Sequence, residues 1–259
     1  MLKMKRGILS MKLDIKELDR IVALGLQGAG EGSAGHACAG DAPILTNGAG
    51  AVEQQSKFGN GYVRDKIVKT GRLMFDRQLT DAGGGNISVR HNGVIYITPQ
   101  QSGEIKRWQL EPDDLIALNA STLDVIENDG EMMSREALMH IGVYKALPEV
   151  GAVLHAHPRY CLVYASASKQ MPVFTENFAY FSGDKPMDCI KKLPGTSPEM
   201  AAEVISFFYR RRSEIQAGAL GALIPEHGVV IAGLTLDDCF TMLDNAEVNA
   251  MVGLFSKLL

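Results

Sequence analysis

Long apolar runs are missing: no stretch of the 259 residues approaches the ~18 apolar positions that a membrane-spanning helix needs. An excess of positive charge is missing too. The 26 lysines and arginines are outnumbered by 30 aspartates and glutamates, for a net charge of −4. That excludes the basic footprint of a nucleic-acid binder and the polybasic face of a membrane binder. Any anionic ligand must then be held by a few local groups. Cysteine is scarce: Cys38, Cys161, Cys189 and Cys239 are scattered with no CxxC spacing. This argues for ordinary reduced thiols in a cytoplasmic protein. The opening segment, MLKMKRGILSMKL, carries charge but lacks the apolar stretch and small-residue cleavage site of a secretory signal. What is present is an ordinary globular composition, 46% hydrophobic and 22% charged, enough for one large domain or a domain with an appendage.

Residues 13–26, LDIKELDRIVALGL, place Ile15, Leu18, Val22 and Leu26 at helical spacing and predict a short amphipathic helix that ends at Gly25. From Gln27 to about Gly61 the composition turns to glycine and alanine, which predicts a flexible arm with little to bury. His36 and Cys38 form an HxC pair inside it, a weak metal signal in such surroundings. The chain thus divides into an N-terminal helix and arm over 1–61 and a main domain over 62–259. In that domain YVRDKIVKTGRLMFDR predicts a helix ending near Gln78, and Asn92-Gly93 between NISVRH and VIYITP signals a β-hairpin. DLIALNA and TLDVIEN read as a second strand pair. SREALMHIGVYKAL reads as a helix burying Ala137, Ile141 and Tyr144, and VGAVLHAH as a strand. PEMAAEVISFFYRRRSEIQ reads as a helix, GALIPEHGVVIAG as another strand segment, and LDDCFTMLDNAEVNAMVGLFSKLL as a closing helix. Early hairpins followed by intervening helices predict an α/β fold: a layered, largely antiparallel sheet flanked by helices, not a doubly wound parallel one.

Leu154-His155-Ala156-His157 is the strongest chemical feature. Residues two apart on a strand point to the same face, so both imidazoles project together near a strand end, as two corners of a metal site. The competing reading is a pair of polar residues satisfied by water. His227, in Ile224-Pro225-Glu226-His227-Gly228, offers a third imidazole on a strand signal, although a turn residue would look the same. Three histidines and one open position suit a catalytic zinc. Ser134 suits a helix N-cap and Glu136 the first turn, where its charge favours the helix dipole. Near a metal, that carboxylate could instead remove a proton beside a polarised carbonyl. Gly83 to Asn86, Ser102-Gly103 and Ser134-Arg135 each offer backbone N–H groups or hydroxyls to an anion.

In this order, GGGNISVR, ITP, the Ser-Arg-Glu opening a helix that reaches His140, PEVGAVLHAHP and PEHGVVIAG resemble the motifs of the class II aldolase/adducin family, whose archetype is fuculose-phosphate aldolase. The resemblance runs from about Tyr62 to the C-terminus. It implies a class II aldolase-like catalytic domain in which His155, His157 and His227 bind Zn2+ or another divalent metal. Glu136 then matches the glutamate that contacts the resting metal and acts as catalytic acid/base. Gly85 with Asn86, Ser102 with Gly103, and Ser134 with Arg135 match three phosphate-holding pairs. The implied reaction cleaves a ketose 1-phosphate to dihydroxyacetone phosphate and an aldehyde through an enediolate. The implied assembly is a homotetramer with sites between subunits.

Departures from the family pattern mark the open points. The loop Thr98-Pro99-Gln100-Gln101-Ser102-Gly103 is longer than the usual TP-x-G loop, and Arg135 stands where the archetype has serine. The archetype has an aldehyde-side tyrosine near the position of Pro172; the corresponding place here holds Thr175-Glu176-Asn177, and Glu176, Tyr180 or neither stands in as proton donor. A methylthioribulose-phosphate dehydratase shares the glutamate and the three histidines. Sugar-phosphate epimerases resemble this set less, with aspartate where Glu136 stands. An adducin-like interaction module would keep the fold but lack the metal histidines, all of which are present.

Overall fold

The computed structural model describes residues 14–30 and 59–259. Helix α1 (Ile15–Gly30) and helix α2 (Asn60–Asp76) precede strands β1 (Asn86–His91), β2 (Val94–Ile97), β3 (Ile116–Asn119) and β4 (Val125–Glu127). Helix α3 (Ala137–Ala146) leads to strand β5 (Ala152–Ala156), then to helices α4 (Arg159–Ser166), α5 (Glu176–Ser182), α6 (Pro198–Arg210) and α7 (Arg212–Ile215). Strands β6 (Ala219–Ile224) and β7 (Gly228–Gly233) and helix α8 (Leu236–Phe255) follow. Most of the glycine-rich arm, with His36 and Cys38, lies outside the described residues. Cys161, Cys189 and Cys239 carry free thiols. Among the described residues no helix is long and apolar enough to cross a membrane.

The strands form a seven-stranded sheet in the order β4-β3-β2-β1-β5-β7-β6, each neighbouring pair antiparallel. Successive residues point to opposite faces, and both faces are covered. Ile95, Ile97, Ile116, Leu118, Val230 and Ala232 join one apolar cluster with α1, α3 and α6. Tyr96, Ala117, Val229 and Ile231 join the other, with α2, α4, α5 and α8. Burial on both faces explains why the central strands read as continuous apolar runs. The Asn92-Gly93 hairpin forms as its sequence predicts, with φ of 47° and 76° at the two turn residues.

Four expectations are corrected. Helix α1 does not stop at Gly25. A Cβ there would lie 2.8 Å from the Ala202 carbonyl oxygen, so the glycine serves close approach to α6 and the helix runs on to Gly30. GALIPEHGVVIAG is a hairpin, not one strand segment: Glu226 turns the chain with φ 59°, and β6 folds back on β7. PEMAAEVISFFYRRRSEIQ breaks at Arg211, whose side chain is drawn to Asp188 and Glu214. Ser134 is not the N-cap of α3, because Glu136 occupies that position. The short helices α4 and α5, which no periodicity announces, pack against α8.

Arg90, near the end of β1, braces α3. Its guanidinium donates to the carbonyls of Tyr144 at 3.0 Å and Val150 at 2.6 Å, and to that of Pro148, and lies over the Tyr144 ring. A cation here satisfies carbonyls at the C-terminal end of α3, where the helix dipole also favours it. Replacing Arg90 with Met strands these carbonyls and should lower stability by about 2–4 kcal/mol. The midpoint of urea unfolding measures the effect, and a loss below about 0.5 kcal/mol contradicts the bracing role.

Candidate active site

Strand β1 and helix α3 are joined by a polar seam. Ile87 and Val89 enter the apolar cluster on the other face, so Asn86, Ser88 and Arg90 turn toward α3. Asn86 Nδ2 donates to Glu136 Oε2 at 2.7 Å. Ser88 Oγ lies 2.8 Å from His140 Nδ1 and 2.8 Å from the Tyr144 hydroxyl. Two strand residues advance about 6.8 Å and four helix residues about 6 Å, so the partners stay in step from Glu136 through His140 to Tyr144. The seam sets Glu136 at a fixed height against the sheet.

Across β1, Asn86 is in register with His155 of β5. His155 Nδ1 hydrogen-bonds the Val229 carbonyl at 2.9 Å, which turns Nε2 toward the cavity. That nitrogen lies 3.1 Å from His157 Nε2 and 3.3 Å from Glu136 Oε2. His227 Nε2 lies 3.6 Å from Glu136 Oε1. The hairpin turn between β6 and β7, not a strand, presents His227, while His157 follows the last residue of β5. The His157 ring occupies space that side chains would fill: a Cβ on Gly84 would meet it at 1.9 Å and one on Gly228 at 2.9 Å. Asp81 Oδ1 holds its Nδ1 at 3.3 Å and also accepts the Gly83 N–H at 2.9 Å.

Burial pushes His155 down to about 3 and His140 down to about 4, and burial also lowers His227. Burial alone would raise the Glu136 carboxyl, but His155, His227 and the Asn86 amide outweigh it and leave it below the usual carboxylate range. The lowered proton affinity of His155 and His227 keeps their ring nitrogens available to a cation, which needs them unprotonated. One ligand atom from each of His155, His157 and His227 can be chosen so that all lie within 4.8 Å of one another. Tetrahedral zinc sets its nitrogens about 3.3 Å apart, close to the 3.1 Å between the nitrogens of His155 and His157. A hydrogen-bonded Nδ1 behind a metal-facing Nε2 is also the usual arrangement around a bound metal. The donor set fits a divalent cation.

The imidazoles open on a cavity of ≈80 Å³ that Gly85, Asn86, Ser134, Arg135 and Glu136 also line. Ser102 and Gly103 do not line it. The Ser102 hydroxyl donates to the Pro99 carbonyl at 2.7 Å, and Gln100 and Gln101 of the lengthened loop reach the cavity in their place. Glu176 and Tyr180 are exposed on α5 and do not line it either. Sequence reading missed Asp81, which stands just ahead of the glycine cluster, and Thr196, which lines the cavity beside His227. It also missed the buried Trp108, whose ring would lie 3.0 Å from a Cβ on Gly85 and 3.1 Å from one on Gly103, and so supports both loops.

Residues 65–253 match the class II aldolase and adducin N-terminal domain. An L-fuculose phosphate aldolase of Methanococcus vannielii is 26% identical over 200 residues, 74% of this chain and 98% of that protein. A 3-oxo-tetronate 4-phosphate decarboxylase of Haemophilus influenzae is 28% identical over 71% of this chain and 81% of that protein. The solved structure of an L-fuculose 1-phosphate aldolase superposes with a TM-score of 0.63 at 22% identity, covering 76% of this chain and 86% of that one. The chain belongs to the class II aldolase and adducin family.

Proposed function

We propose that the protein is a metal-dependent aldolase that cleaves a ketose 1-phosphate to dihydroxyacetone phosphate and an aldehyde. The observation that carries this reading is the Glu136 carboxylate, buried, ionised and held by Asn86 against the histidine cluster. His155, His157 and His227 would hold a divalent metal, with zinc the best match to three imidazoles. Bound there, the metal supplies Lewis-acid polarisation of the substrate carbonyl and stabilises negative charge as it develops. Gly85, Asn86, Ser134 and Arg135, together with Gln100 and Gln101, form the phosphate end. Arg135 contributes the charge-assisted hydrogen bonds that suit a phosphate. In cleavage the bond between C3 and C4 breaks and its electron pair stays with the phosphate-bearing fragment. The C4 hydroxyl would lose its proton to a base on the aldehyde side as the aldehyde forms, and the Glu136 carboxylate, having taken up a proton from water, would deliver it to C3. In the reverse direction the Glu136 carboxylate removes that proton.

Beyond Glu136 and the histidines, the one carboxylate among the described lining residues is Glu104, in the loop of Gln100 and Gln101 at the proposed phosphate end, which leaves the aldehyde side without a base or acid of its own. A homotetramer with sites between subunits would supply one from a neighbouring copy, with Glu176 or Tyr180 in that role. The same gap favours a second reading, decarboxylation of a phosphorylated 3-oxo acid, which needs no aldehyde-side donor and is the activity named for the Haemophilus influenzae relative. Dehydration of a methylthioribulose phosphate uses the same base. A cytoplasmic location goes with all three.

Metal-loaded protein incubated with a panel of ketose 1-phosphates should release dihydroxyacetone phosphate. Carbon dioxide from a 3-oxo acid phosphate, or loss of water with the carbon chain intact, would instead identify the decarboxylase or the dehydratase. Glu136→Gln keeps the size of the side chain and removes the base. Turnover should fall by about 10²–10⁴-fold while the metal, measured by elemental analysis, stays bound. Near-normal turnover in that variant would remove Glu136 from the chemistry.

A further inference from the structure

Thr196 adopts a backbone conformation that its residue type resists. Its φ is 61°, in the left-handed region where Cβ crowds the backbone and β-branching adds to the crowding. Of the described non-glycine residues with positive φ, it alone is β-branched. The local cause is a turn, closed by the Ser197 N–H donating to the Pro194 carbonyl at 3.3 Å. Thr196 holds the third place of that turn, where a positive φ calls for glycine or asparagine. The chain has its glycine one position early, at Gly195, and threonine where the glycine belongs.

Packing does not account for the misplacement, because Thr196 is exposed. It lines the cavity beside His227, and with Arg135 and Glu136 it also borders a smaller recess at the start of α6. A Cβ on Gly195 would stand 3.6 Å from the His227 ring, so the turn lies directly against the histidine cluster. Ser197 then caps α6, accepting the Met200 N–H at 3.1 Å, which anchors one end of the turn. Residues kept in disfavoured backbone regions concentrate at ligand-binding sites, and breaks in local sequence rules concentrate there with them. β-Branching also restricts χ1, so a threonine presents its hydroxyl in fewer directions than a serine does.

We propose that Thr196 is a substrate-contacting residue whose hydroxyl donates to an oxygen of the phosphorylated substrate between Arg135 and His227. The inference rests on the reading of the cavity as a sugar-phosphate site. The hydroxyl is the reason that threonine occupies a glycine position, and the strained turn is what aims it.

Two variants separate the hydroxyl from the strain. Thr196→Val keeps the shape and the strain but removes the donor; Thr196→Gly removes both. Titration calorimetry of metal-loaded protein with dihydroxyacetone phosphate reads affinity, and thermal unfolding without ligand reads strain. Thr196→Val should bind dihydroxyacetone phosphate about tenfold more weakly, the loss expected for one hydrogen bond to a charged group, with its melting temperature and metal content unchanged. Thr196→Gly should bind as weakly and melt about 2–4 °C higher. Wild-type affinity in Thr196→Val while the wild type binds the probe overturns the role of Thr196 and leaves the sugar-phosphate reading intact. A lower melting temperature in Thr196→Gly also overturns it, since the turn would then not be strained. A wild type that binds no dihydroxyacetone phosphate overturns both.

Discussion

The hydrogen bond from Asn86 to Glu136 is the point on which the candidate site depends. It joins the first residue of β1 to the start of α3, and the neighbouring pairs Ser88–His140 and Arg90–Tyr144 keep strand and helix in step behind it. A buried carboxylate without such partners would take up a proton. With the Asn86 amide donating to it, the Glu136 carboxyl is held below its ordinary value inside the protein. Asn86 is also in register with His155 on β5. One residue thus positions the base against its helix and stands beside a metal-binding candidate on its sheet neighbour.

The rest of the fold holds that arrangement still. Both faces of the sheet are buried, so the strands that carry Asn86 and His155 are central and cannot slip without exposing apolar side chains on one face. Loops are used where a side chain must reach the cavity from outside the sheet. The β6–β7 turn presents His227, the glycine cluster makes room for His157, and the Pro194–Ser197 turn brings Thr196 to the rim. Trp108 lies beneath the glycine cluster and the Ser102-Gly103 loop and fills the space between them and the core.

Features set by spacing along the chain were legible in the sequence. The Asn92-Gly93 hairpin follows from its turn residues between alternating strands, and the same-side pairing of His155 and His157 from the two-residue period of a strand. The layered antiparallel sheet followed from the order of those elements. Features set by what lies opposite were not legible. Gly25 reads as a helix end until the Ala202 carbonyl is seen against it. Ser102 reads as a phosphate ligand until its hydroxyl is found on Pro99. Asp81 and Thr196 carry no pattern of their own, and neither does the reversal at Glu226 that turns one apparent strand into two. The short helices α4 and α5 hold too few residues for a period to show.

Proton exchange tests the site most directly, because it requires the metal position, the phosphate end and Glu136 together but no aldehyde. Metal-loaded protein is incubated with dihydroxyacetone phosphate in deuterated water, and the hydroxymethyl hydrogens are followed by NMR. Stereospecific exchange of one hydrogen by the wild type, lost in Glu136→Gln with the metal still bound, is the predicted result. An absence of exchange by wild-type protein with both metal and dihydroxyacetone phosphate bound would contradict the assignment of Glu136 as the base.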